Sequence, residues 1–513
     1  MEPDTLRSAL EEACARWAGR TALIHRGRRT TYARLGAAAR ALGAGYRRMG
    51  IPPGARVVCS VSNRPEHLAA LAGAWHASAV HAAADHPLTG PELARVVELT
   101  GAAALVFEPA GGAGDPLAPL AAVRARRPGL PVVWVGDAPA PPGCLAFTGL
   151  AGGDPCVEPG PGPAAADPAV VFLSSGTTGA PKATVGFHGN LAQRWRRLAE
   201  WLRMEEEDAH LAHLPLSHGF GLMMAVAALL SGGRLALLDP FTARDALRLM
   251  RSEGVTVLNG APAHFRLLLA RMAEDEGGAG PLRLAVGSAA AFPPELVRAI
   301  RDRLGAEFTY MYGSSEGVGV ATTDRDDISR GSVGRPAPGA VRVVDAARRP
   351  LPAGQVGELA FSRRVYPVRY WGAPAPDEEE WYYSGDLGRM DEEGRLYVHG
   401  RLKHQIDRGG VKVDPVEVEA ALLRLPCVAD AAVIGVPDPV LGETVCACVV
   451  PAPGHAPELE TVRASLAAEL APYKLPQTLC LLNRIPRTRI GKADLAALRA
   501  VVTTTRPAPA GAG

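Results

Sequence analysis

The sequence has no long hydrophobic run, no large excess of charge of either sign and no Cys-x-x-Cys pair. Its most apolar stretch, residues 219–230, is shorter than the roughly 20 residues that cross a bilayer, so no membrane partner is expected. Lysine plus arginine total 55 against 53 aspartates plus glutamates, and the net charge of +2 does not indicate a nucleic-acid partner. Residues 1–20 include acidic residues and lack the apolar segment of a secretory signal, which predicts a cytoplasmic protein.

Cysteine use is typical of a reduced, intracellular protein. The eight cysteines are scattered without a Cys-x-x-Cys pair. Cys446 and Cys448 alternate along a predicted strand, so we expect them to share a buried face rather than to bind metal. The 513 residues, 47% apolar and 21% charged, suffice for two or more folded cores and exclude a wholly disordered or fibrous chain.

Lysine is scarce, because only five of the 55 basic residues are lysines. Where arginine supplies the ordinary surface charge, a retained lysine is a candidate for a task that the bulkier guanidinium performs poorly, such as placing a compact charge on a phosphate. Composition alone leaves open that any single lysine is an accidental survivor. The five are Lys182, Lys403, Lys412, Lys474 and Lys492.

The N-terminal part of the chain alternates helical and strand patterns, which indicates an α/β fold. Residues 108–168 are rich in Gly, Pro and Ala, and the last part of this stretch is predicted to be a linker. Three helices are predicted over residues 6–17, 32–49 and 65–79, and a strand over residues 56–61.

A βαβ series is predicted between residues 256 and 317. Its strands end near Asn259, Gly287 and Tyr312, and the carboxyl ends of neighbouring parallel strands meet at one edge of a sheet, where open α/β sheets bind ligands. Gly305 is expected to end the second helix of the series in a left-handed cap.

A smaller unit follows a strand-rich stretch and begins near Arg401. Its first helix is predicted to start with Asp414 as N-cap, Pro415 in the first turn and Glu417 as capping-box partner. Strands and helices continue to about residue 505, and the tail 506–513, made of Arg, Pro, Ala and Gly, is predicted to be disordered.

The strongest local signal is the sequence AVVFLSSGTTGAPKA at residues 169–183. An apolar strand runs into a Ser, Thr and Gly loop, and Lys182 follows. Glycines let backbone N–H groups face an anion, hydroxyls donate to phosphate oxygens, and an ammonium neutralises charge, so a polyphosphate cradle is predicted. It is not a Walker loop, which needs a Lys-Ser or Lys-Thr pair, and a plain flexible turn would need neither the strand nor the rare lysine. The loop begins with Ser174, Ser175, Gly176, Thr177 and Thr178.

Six segments in order resemble the acyl-adenylate-forming superfamily, which includes acyl-CoA and aryl-CoA ligases, firefly-luciferase-like enzymes and the adenylation domains of peptide synthetases. The first is SSGTTGAPK, similar to the phosphate loop of that family. One such motif is weak, whereas six over nearly the whole chain are specific. The others are LPLSHGFG (214–221), similar to the acid-pocket motif, YGSSE (312–316) to the adenine and magnesium motif, YYSGDL (382–387) to the ribose motif, the hinge segment 400–419, and PRTRIGK (486–492) to the segment with the catalytic lysine.

The resemblance implies an α/β fold with two domains. The large N-terminal domain, residues 1–401, is expected to contain doubly wound sheets and a small β-barrel-like part, and to hold the acid and ATP pockets. The smaller, mobile α+β domain, residues 402–505, is expected to carry the catalytic lysine and to rotate about Lys403. Monomers and homodimers are both compatible with this reading.

The resemblance also assigns roles to single residues. Lys492 is implied as the catalytic lysine, Glu316 as the Mg²⁺ ligand, and His218 as a wall of the acid pocket, although a lone histidine is more often a core or capping residue. Further implied nucleotide-binding residues are Gly287, Ser288, Ala289, Tyr312, Gly313, Ser314, Ser315, Asp386 and Arg401. Implied acid-pocket residues besides His218 are Phe220, Gly260, Gly287, Met311 and Gly313, and implied CoA-binding residues are Arg408, Gly409 and Gly410.

The implied reaction has two halves. A carboxylic acid attacks the α-phosphorus of ATP to form an acyl-AMP, and a thiol then displaces AMP. No aspartate lies in the motif around His218, so we expect an acid without an α-amino group, whether aryl, cyclic or fatty. No phosphopantetheine attachment segment follows in the sequence, which favours coenzyme A as the thiol over a carrier protein.

Several alternatives stay open on the sequence. A free-standing carrier protein is a possible acceptor, and residues 313–317 also match the GxSxG pattern of serine hydrolases. A non-catalytic nucleotide-binding descendant is disfavoured by Lys492 and Glu316. Ala183 replaces the usual glycine, serines stand where threonine is common, and residues 287–292 match the adenine segment loosely, so an enzyme that performs mainly the thioester half is also considered.

Overall fold

A computed structural model describes most of the chain. Ser174 and Lys182 are described by their backbone alone. Outside the described residues lie the predicted phosphate loop 175–181, Ser315, Gly410, the tail 506–513 and residues 154–160 of the predicted linker region. The described residues are 5–110, 115–153, 161–174, 182–273, 278–290, 292–314, 316, 319–322, 324–373, 380–409, 411–467 and 469–505.

The first part of the chain confirms the predicted N-terminal helices and the predicted strand. The first helix begins after Thr5, whose hydroxyl accepts a hydrogen bond from the Ser8 N–H at 3.1 Å. The elements in chain order are α1 (Leu6–Arg16), β1 (Thr21–His25), β2 (Arg28–Thr31), α2 (Tyr32–Arg48), β3 (Arg56–Ser60), α3 (Pro65–His76), β4 (Val80–Ala84), α4 (Gly90–Thr100), β5 (Ala104–Phe107), α5 (Ala118–Arg126), β6 (Val132–Trp134), β7 (Leu145–Ala146), α6 (Phe147–Ala151), β8 (Pro168–Ser174), β9 (Lys182–Phe187) and α7 (His188–Trp201).

Strands β3–β9 form one sheet in the order β7-β6-β5-β3-β4-β8-β9. All neighbours are parallel except β8 and β9, which form a hairpin whose strands pair Ser174 with Lys182. The predicted phosphate loop therefore connects the two strands of this hairpin. Helices α5 and α6 lie in the Gly- and Pro-rich stretch and were not predicted, because α5 buries only Leu120 and Val123 and leaves little periodic signal.

The predicted βαβ series belongs to a second sheet, in the order β15-β14-β13-β12-β10-β11-β1-β2. Its neighbours are parallel except at the two edges. The predicted left-handed cap at Gly305 is confirmed, with φ +70°. The new elements are β10 (Ala209–Ala212), α8 (Gly219–Leu230), β11 (Arg234–Leu237), α9 (Ala243–Glu253), β12 (Val257–Gly260), α10 (Pro262–Ala273), β13 (Leu284–Gly287), α11 (Pro294–Leu304), β14 (Glu307–Gly313), β15 (Gly319–Thr322) and α12 (Arg325–Ser329).

The strand-rich stretch folds into an antiparallel sheet, which is the part expected to resemble a small barrel. Its strands pair in the order β16-β17-β18-β19. The sheet delivers Tyr382, Asp386 and Arg401 to the candidate site from its last two strands. The strands are β16 (Val341–Val344), β17 (Gly357–Ser362), β18 (Trp381–Met390) and β19 (Leu396–Arg401).

The C-terminal part is a smaller α+β unit. Asp414 caps its first helix by accepting from the Val416 N–H at 3.0 Å, as predicted, but Glu417 accepts two hydrogen bonds from Lys474 instead of completing a capping box. Cys446 and Cys448 share a buried face, as predicted. The elements are β20 (Ile406–Arg408), β21 (Val411–Val413), α13 (Pro415–Leu422), β22 (Val428–Asp438), β23 (Gly442–Pro451), α14 (Leu459–Leu466), β24 (Thr478–Leu481) and α15 (Leu495–Thr505).

The C-terminal part has hydrophobic cores of its own, separate from those of the preceding part. One large core joins the two parallel sheets through the helices between them. Two smaller cores consist entirely of residues between Ile406 and Val502. Within the described ranges, every helix is too short or too polar to cross a membrane.

Candidate active site

Asp386 is the centre of a buried hydrogen-bonded group at the edge of the second sheet. Its carboxylate accepts from the Tyr312 hydroxyl at 2.6 Å and pairs with the Arg401 guanidinium at 2.7 Å. The Asp386 side chain is only 5% exposed, so its charge depends on these two partners. Burial and the neighbouring carboxylate raise the pKa of Tyr312, which keeps its hydroxyl protonated and donating.

The Glu316 carboxylate lies at the end of a chain of two hydrogen-bonded tyrosine hydroxyls. Tyr370 donates to the Glu316 carboxylate at 3.3 Å, and Tyr382 is in turn hydrogen-bonded to Tyr370. Burial and the charge of Glu316 raise the pKa of both tyrosines. The backbone of residues 369–371 is hydrogen-bonded to β9, since Val185 donates to Arg369 and Trp371 donates to Ala183. The segment that orients Glu316 thus also flanks the hairpin of the predicted phosphate loop.

A tight turn presents Lys492 to this group. The Gly491 N–H donates to the Thr488 carbonyl at 2.8 Å, and Gly491 has a φ of +81°, which favours glycine. A Cβ atom at Gly491 would lie 2.8 Å from His264 and 3.1 Å from Ala261, both in the N-terminal part. The turn is therefore packed directly against the body that carries Asp386.

The charges around Lys492 come from the predicted nucleotide-binding residues. Burial lowers the pKa of its ammonium and Arg401 lowers it further, while the carboxylates of Asp386 and Glu316 oppose the shift. Lys492 as a whole residue is exposed to solvent, and it lies where the two parts of the chain meet, a place we call the cleft. A cation in such a position is accessible to an anionic substrate.

His218 begins α8 and faces a carboxylate that the sequence did not reveal. Its Nε2 lies 3.3 Å from Asp85, which also accepts from the Ser217 hydroxyl at 2.6 Å. Burial lowers the pKa of His218, and Arg489 and Lys492 lower it further against the opposing effect of Asp85. A neutral His218 that donates from Nε2 to Asp85 leaves Nδ1 as an acceptor.

The glycines implied as acid-pocket residues lie against aromatic rings. A Cβ at Gly287 would lie 2.5 Å from Phe308 and 2.8 Å from Phe292, and one at Gly260 would lie 3.3 Å from His264. These glycines therefore allow close aromatic packing, and their place in the acid pocket stays a prediction. Ala289 has a φ of +76°, which is unusual for alanine.

Other predicted residues lie around the same edge. Ser288 is nearly buried and donates its N–H to the Gly260 carbonyl at 3.1 Å, while Gly313 is the last residue of β14. The buried Ser314 hydroxyl has no hydrogen-bond partner among the described residues. Phe220 and Met311 pack against the same hydrophobic core and so approach the site from α8 and β14.

Residues predicted for the hinge and for CoA lie at the start of the C-terminal part. Lys403 lies in a 3₁₀ turn between β19 and β20. Arg408 and Gly409 belong to the β20–β21 hairpin, where Gly409 has a φ of +63° and donates to the Leu441 carbonyl at 2.7 Å. In this arrangement it is Lys492, from the other end of the C-terminal part, that faces Asp386.

Two ionic contacts join the parts across the cleft. Arg489, which lies within the turn that carries Lys492, pairs with Asp239 at 2.7 Å. Arg487 forms two 2.7 Å hydrogen bonds with Asp430, whose carboxylate also lies 4.0 Å from Arg266 of α10. Both contacts hold the Lys492 turn in its present position.

We expect Arg489→Ala to lower the rate of acyl-AMP formation about two- to tenfold, because loss of the partly buried pair with Asp239 makes this domain arrangement less populated. Thioester formation from supplied acyl-AMP is expected to be unchanged or faster. Each half-reaction is measured separately. Arg248→Ala, which removes an exposed Arg–Asp pair on α9, is the control. An equal loss in both half-reactions would contradict the expectation.

Glu419 makes the stability of the protein depend on pH. Burial, with a smaller effect of Asp414 and Asp430, raises its pKa from the usual 4.5 to about 7, against the opposing effects of the Val433 N–H and Arg487. Its stabilising contribution is therefore complete below about pH 4.5 and lost as the pH rises through 7. We expect Glu419→Gln to be more stable than wild type at pH 8, by on the order of 2 kcal/mol, and equal to it near pH 4.5. Denaturant midpoints of the full chain measure this.

The control for that substitution is Glu460→Gln, which removes a largely exposed carboxylate from α14. A stability difference of Glu419→Gln that is the same at both pH values would contradict a titrating Glu419.

The serine hydrolase alternative is wrong. A nucleophile elbow needs a helix immediately after the strand that carries the serine. Here β14 is followed by the antiparallel strand β15, and Gly313 pairs with Gly319. Residues 313–319 therefore connect the two strands of a hairpin.

Sequence reasoning missed the residues that orient the predicted ones. Asp85, Tyr370 and Asp239 lie far from their partners along the chain, and single acidic or tyrosine residues carry no local signal. Tyr382 could have been found, because it lies in the same YYSGDL segment as Asp386.

The fold, and the position of Lys492 beside the predicted nucleotide-binding residues, agree with the class that the sequence resembles, enzymes that activate a carboxylate with ATP. The family model described as "AMP-binding enzyme" matches residues 10–371, and the model of its C-terminal domain matches residues 417–492. The chain belongs to the AMP-binding enzyme family.

Known relatives agree with this assignment. The chain is 37% identical to a salicylyl-CoA synthase / salicylate adenylyltransferase of Streptomyces sp over 66% of this chain and 64% of that protein. It is 32% identical to a feruloyl-CoA synthase of Amycolatopsis sp over 92% of this chain and 94% of that protein. ATP-bound MatB from Rhodopseudomonas palustris superposes with a TM-score of 0.84 at 26% identity, covering 96% and 98% of the two chains.

These comparisons confirm the predicted class of activity, an AMP-forming acyl-CoA synthetase that uses ATP and coenzyme A, with Mg²⁺ usual for the family. They also confirm the predicted fold, with parallel sheets in the large part and an α+β C-terminal part.

Proposed function

We propose that the protein activates an aromatic carboxylic acid without an α-amino group as its acyl-AMP and transfers the acyl group to coenzyme A. The observation that carries the proposal is the convergence of Lys492 with Glu316, Asp386 and Arg401 in one cleft. A lone lysine or a lone carboxylate there would have several uses. An ammonium beside one carboxylate that can bind ribose and another that can bind Mg²⁺ suits the in-line attack of an acid on the α-phosphorus of ATP.

The division of the chain at residues 401 and 402 belongs to the proposal. Separate cores on the two sides of the boundary support it. Between the parts, the short turn around Lys403 is the natural place for a rotation, since it lies between strands of two different sheets.

In the first half-reaction Lys492 bridges the acid carboxylate and the α-phosphate and offsets their combined negative charge. Asp386 accepts hydrogen bonds from the ribose hydroxyls while Arg401 and Tyr312 hold it in place. The unpartnered Ser314 hydroxyl donates to a phosphate oxygen. Catalysis is thus mainly positioning and charge neutralisation, and pyrophosphate leaves opposite the attacking oxygen.

The residues at the site also fit Mg²⁺. This ion prefers oxygen ligands and takes one or two carboxylates together with substrate phosphates. Glu316 supplies such a carboxylate, and the Tyr370 hydroxyl fixes its orientation. When bound, Mg²⁺ would offset charge on the phosphates, and the hairpin that carries Ser174 and Lys182 would hold the rest of the polyphosphate.

In the second half-reaction the C-terminal part rotates and withdraws Lys492. The Arg408-Gly409-Gly410 hairpin then approaches the site and holds the pantetheine arm, for which the glycines allow close backbone approach. Neutral His218, oriented by Asp85, borders the path of the thiol. The thiolate attacks the acyl carbon, the bond to AMP breaks, and AMP leaves.

The choice of an aromatic acid rests on the relatives and on the wall of the pocket. The two relatives described above are named for the aromatic salicylyl and feruloyl groups. Phe220 and Met311, which approach from α8 and β14, supply apolar surface against which a ring can pack. A cytoplasmic location is part of the proposal and is supported by free thiols such as Cys14 and Cys59.

The test is pyrophosphate release across a panel of aromatic, cyclic and fatty acids, followed by thioester formation with the best acid. We expect aromatic acids to give the highest kcat/KM and coenzyme A to accept the acyl group faster than any free-standing carrier protein. Preference for a fatty acid would contradict the proposed substrate, and preference for a carrier protein would contradict the proposed acceptor.

A further inference from the structure

A second group of chemistry-bearing residues lies in the first sheet, away from the cleft. Cys59 on β3, His67 on α3 and His81 on β4 are each fully or almost fully buried. One ligand-type atom from each, a thiol sulfur and two ring nitrogens, lies within 4.8 Å of the other two. The strand register explains the proximity, because Val57 pairs with His81 and Cys59 follows Val57 on the same face of β3.

His67 is oriented like a metal-binding histidine. Its Nδ1 lies 2.8 Å from the Val61 carbonyl, which can only accept, so Nδ1 carries the hydrogen. Nε2 therefore has a lone pair, and it has no hydrogen-bond partner among the described residues. A backbone acceptor on one nitrogen is the usual way in which proteins orient a metal-bound histidine.

His81 also has ring nitrogens without hydrogen-bond partners among the described residues. The side chain is completely buried, and neither ring nitrogen has a hydrogen-bond partner in the described part of the chain. An unsatisfied buried polar group costs about 1–3 kcal/mol, so such groups usually mark a missing ligand or water. The His67 and His81 rings lie with centroids 5.4 Å apart.

We propose that Cys59, His67 and His81 bind a borderline-soft divalent metal ion of the Zn²⁺ type. One thiolate and two imidazoles form a nitrogen and sulfur ligand set that Zn²⁺ prefers. Tetrahedral bonds of about 2.3 Å to sulfur and 2.0–2.1 Å to nitrogen need ligand atoms about 3–4 Å apart. Small side-chain rotations from the present separation supply this, and binding displaces the thiol proton to solvent.

The surrounding charge fits a cation. A divalent ion with one thiolate leaves a net positive charge in the sheet. The carboxylate of Glu108 interacts electrostatically with both Cys59 and His67, and a negative charge at this place favours a bound cation. Glu108 is itself held by the Ser62 N–H at 2.7 Å and by Arg64 at 3.0 Å.

The proposed site is structural rather than catalytic. It would tie α3 to the two central strands on which it packs, and β4 runs on from His81 to Asp85, the partner of His218. The site does not depend on the proposed reaction, since none of its ligands faces the cleft.

The test uses the full-length protein, purified without an affinity tag that binds metal. We expect about one zinc per chain after dialysis against Zn²⁺ and removal of free ion. Growth with Co²⁺ should give a tetrahedral Co²⁺ spectrum with a sulfur-to-cobalt charge-transfer band. Because the ligands are buried, a chelator is expected to remove the ion only after unfolding. Protein that folds and contains less than about a tenth of an ion per chain would overturn the proposal.

Matched variants locate the ion. Cys59→Ser and His81→Leu are expected to lower the metal content at least about tenfold. His210→Leu is the control for His81→Leu, because His210 is also buried on a central strand without a hydrogen-bond partner for either ring nitrogen among the described residues. Cys448→Ala controls for the second group of buried cysteines. Loss of metal in Cys448→Ala but not in Cys59→Ser would overturn the proposal, and Cys59→Ser keeps the test valid if His81→Leu does not fold.

Discussion

Lys492→Ala is expected to lower the rate of acyl-AMP formation about 10²–10³-fold and to leave thioester formation from supplied acyl-AMP nearly unchanged. The reason is that Lys492 lies beside Asp386, Glu316 and Arg401 in the present arrangement of the two parts. Its ammonium is the positive charge at the proposed α-phosphate, and alanine cannot replace it. In the proposed second half-reaction the turn that carries Lys492 moves away.

The two rates are measured separately, by pyrophosphate release and by thioester formation from synthetic acyl-AMP. Lys474→Ala is the matched control, because Lys474 is bound to Glu417 within the C-terminal part and does not face the cleft. Equal losses in both half-reactions for Lys492→Ala would refute its assignment to the first step.

Asp386→Asn is expected to lower kcat/KM for ATP about 100-fold. The substitution removes the negative charge of the proposed ribose acceptor and leaves the Arg401 guanidinium, which is 36% exposed, without its anionic partner. Breaking a fully buried pair costs about 3–5 kcal/mol, and solvent around Arg401 lowers that cost. Part of that cost falls on folding, so ATP binding and the thermal midpoint are measured on the same preparation.

The same sheet contains a matched control for this substitution. Asp391 accepts from Arg395 at 2.7 Å and from the Tyr397 hydroxyl at 3.1 Å, which repeats the Asp–Arg–Tyr group of Asp386 away from the cleft. Asp391→Asn is expected to lower stability without a specific loss of ATP affinity. If it weakens ATP binding as much as Asp386→Asn does, Asp386 has no special role at the nucleotide.

The elements that the sequence predicted well are those with a strong local pattern. Helix α11 has a proline at its start, an apolar stripe and Gly305 at its end, and it forms as predicted. Helix α5 was missed because its apolar face is only two residues wide. The departure of Ala183 from the usual glycine has a simple structural setting, since its methyl group is 4% exposed and packs into a hydrophobic core.

The candidate site divides in the same way. Lys492, Glu316 and Asp386 stand in contiguous motifs that resemble a family, so the sequence was enough to propose them. Asp85 and Tyr370 act through single contacts made by the tertiary fold, and no spacing along the chain encodes such contacts. The neighbours of Gly287 could not be predicted either, because the aromatic rings beside it, Phe292 and Phe308, reach it through the tertiary fold.

The bonding of residues 369–371 to β9 connects the position of Glu316 to the position of the hairpin. Tyr370 fixes the carboxylate of Glu316, while the backbone on either side of Tyr370 is attached to the strand that follows the predicted phosphate loop. If Glu316 and the hairpin hold the two ends of a polyphosphate as proposed, this bonding sets the distance between them. Inserting or deleting a residue in the segment 369–371 is then expected to change the length of phosphate chain that binds.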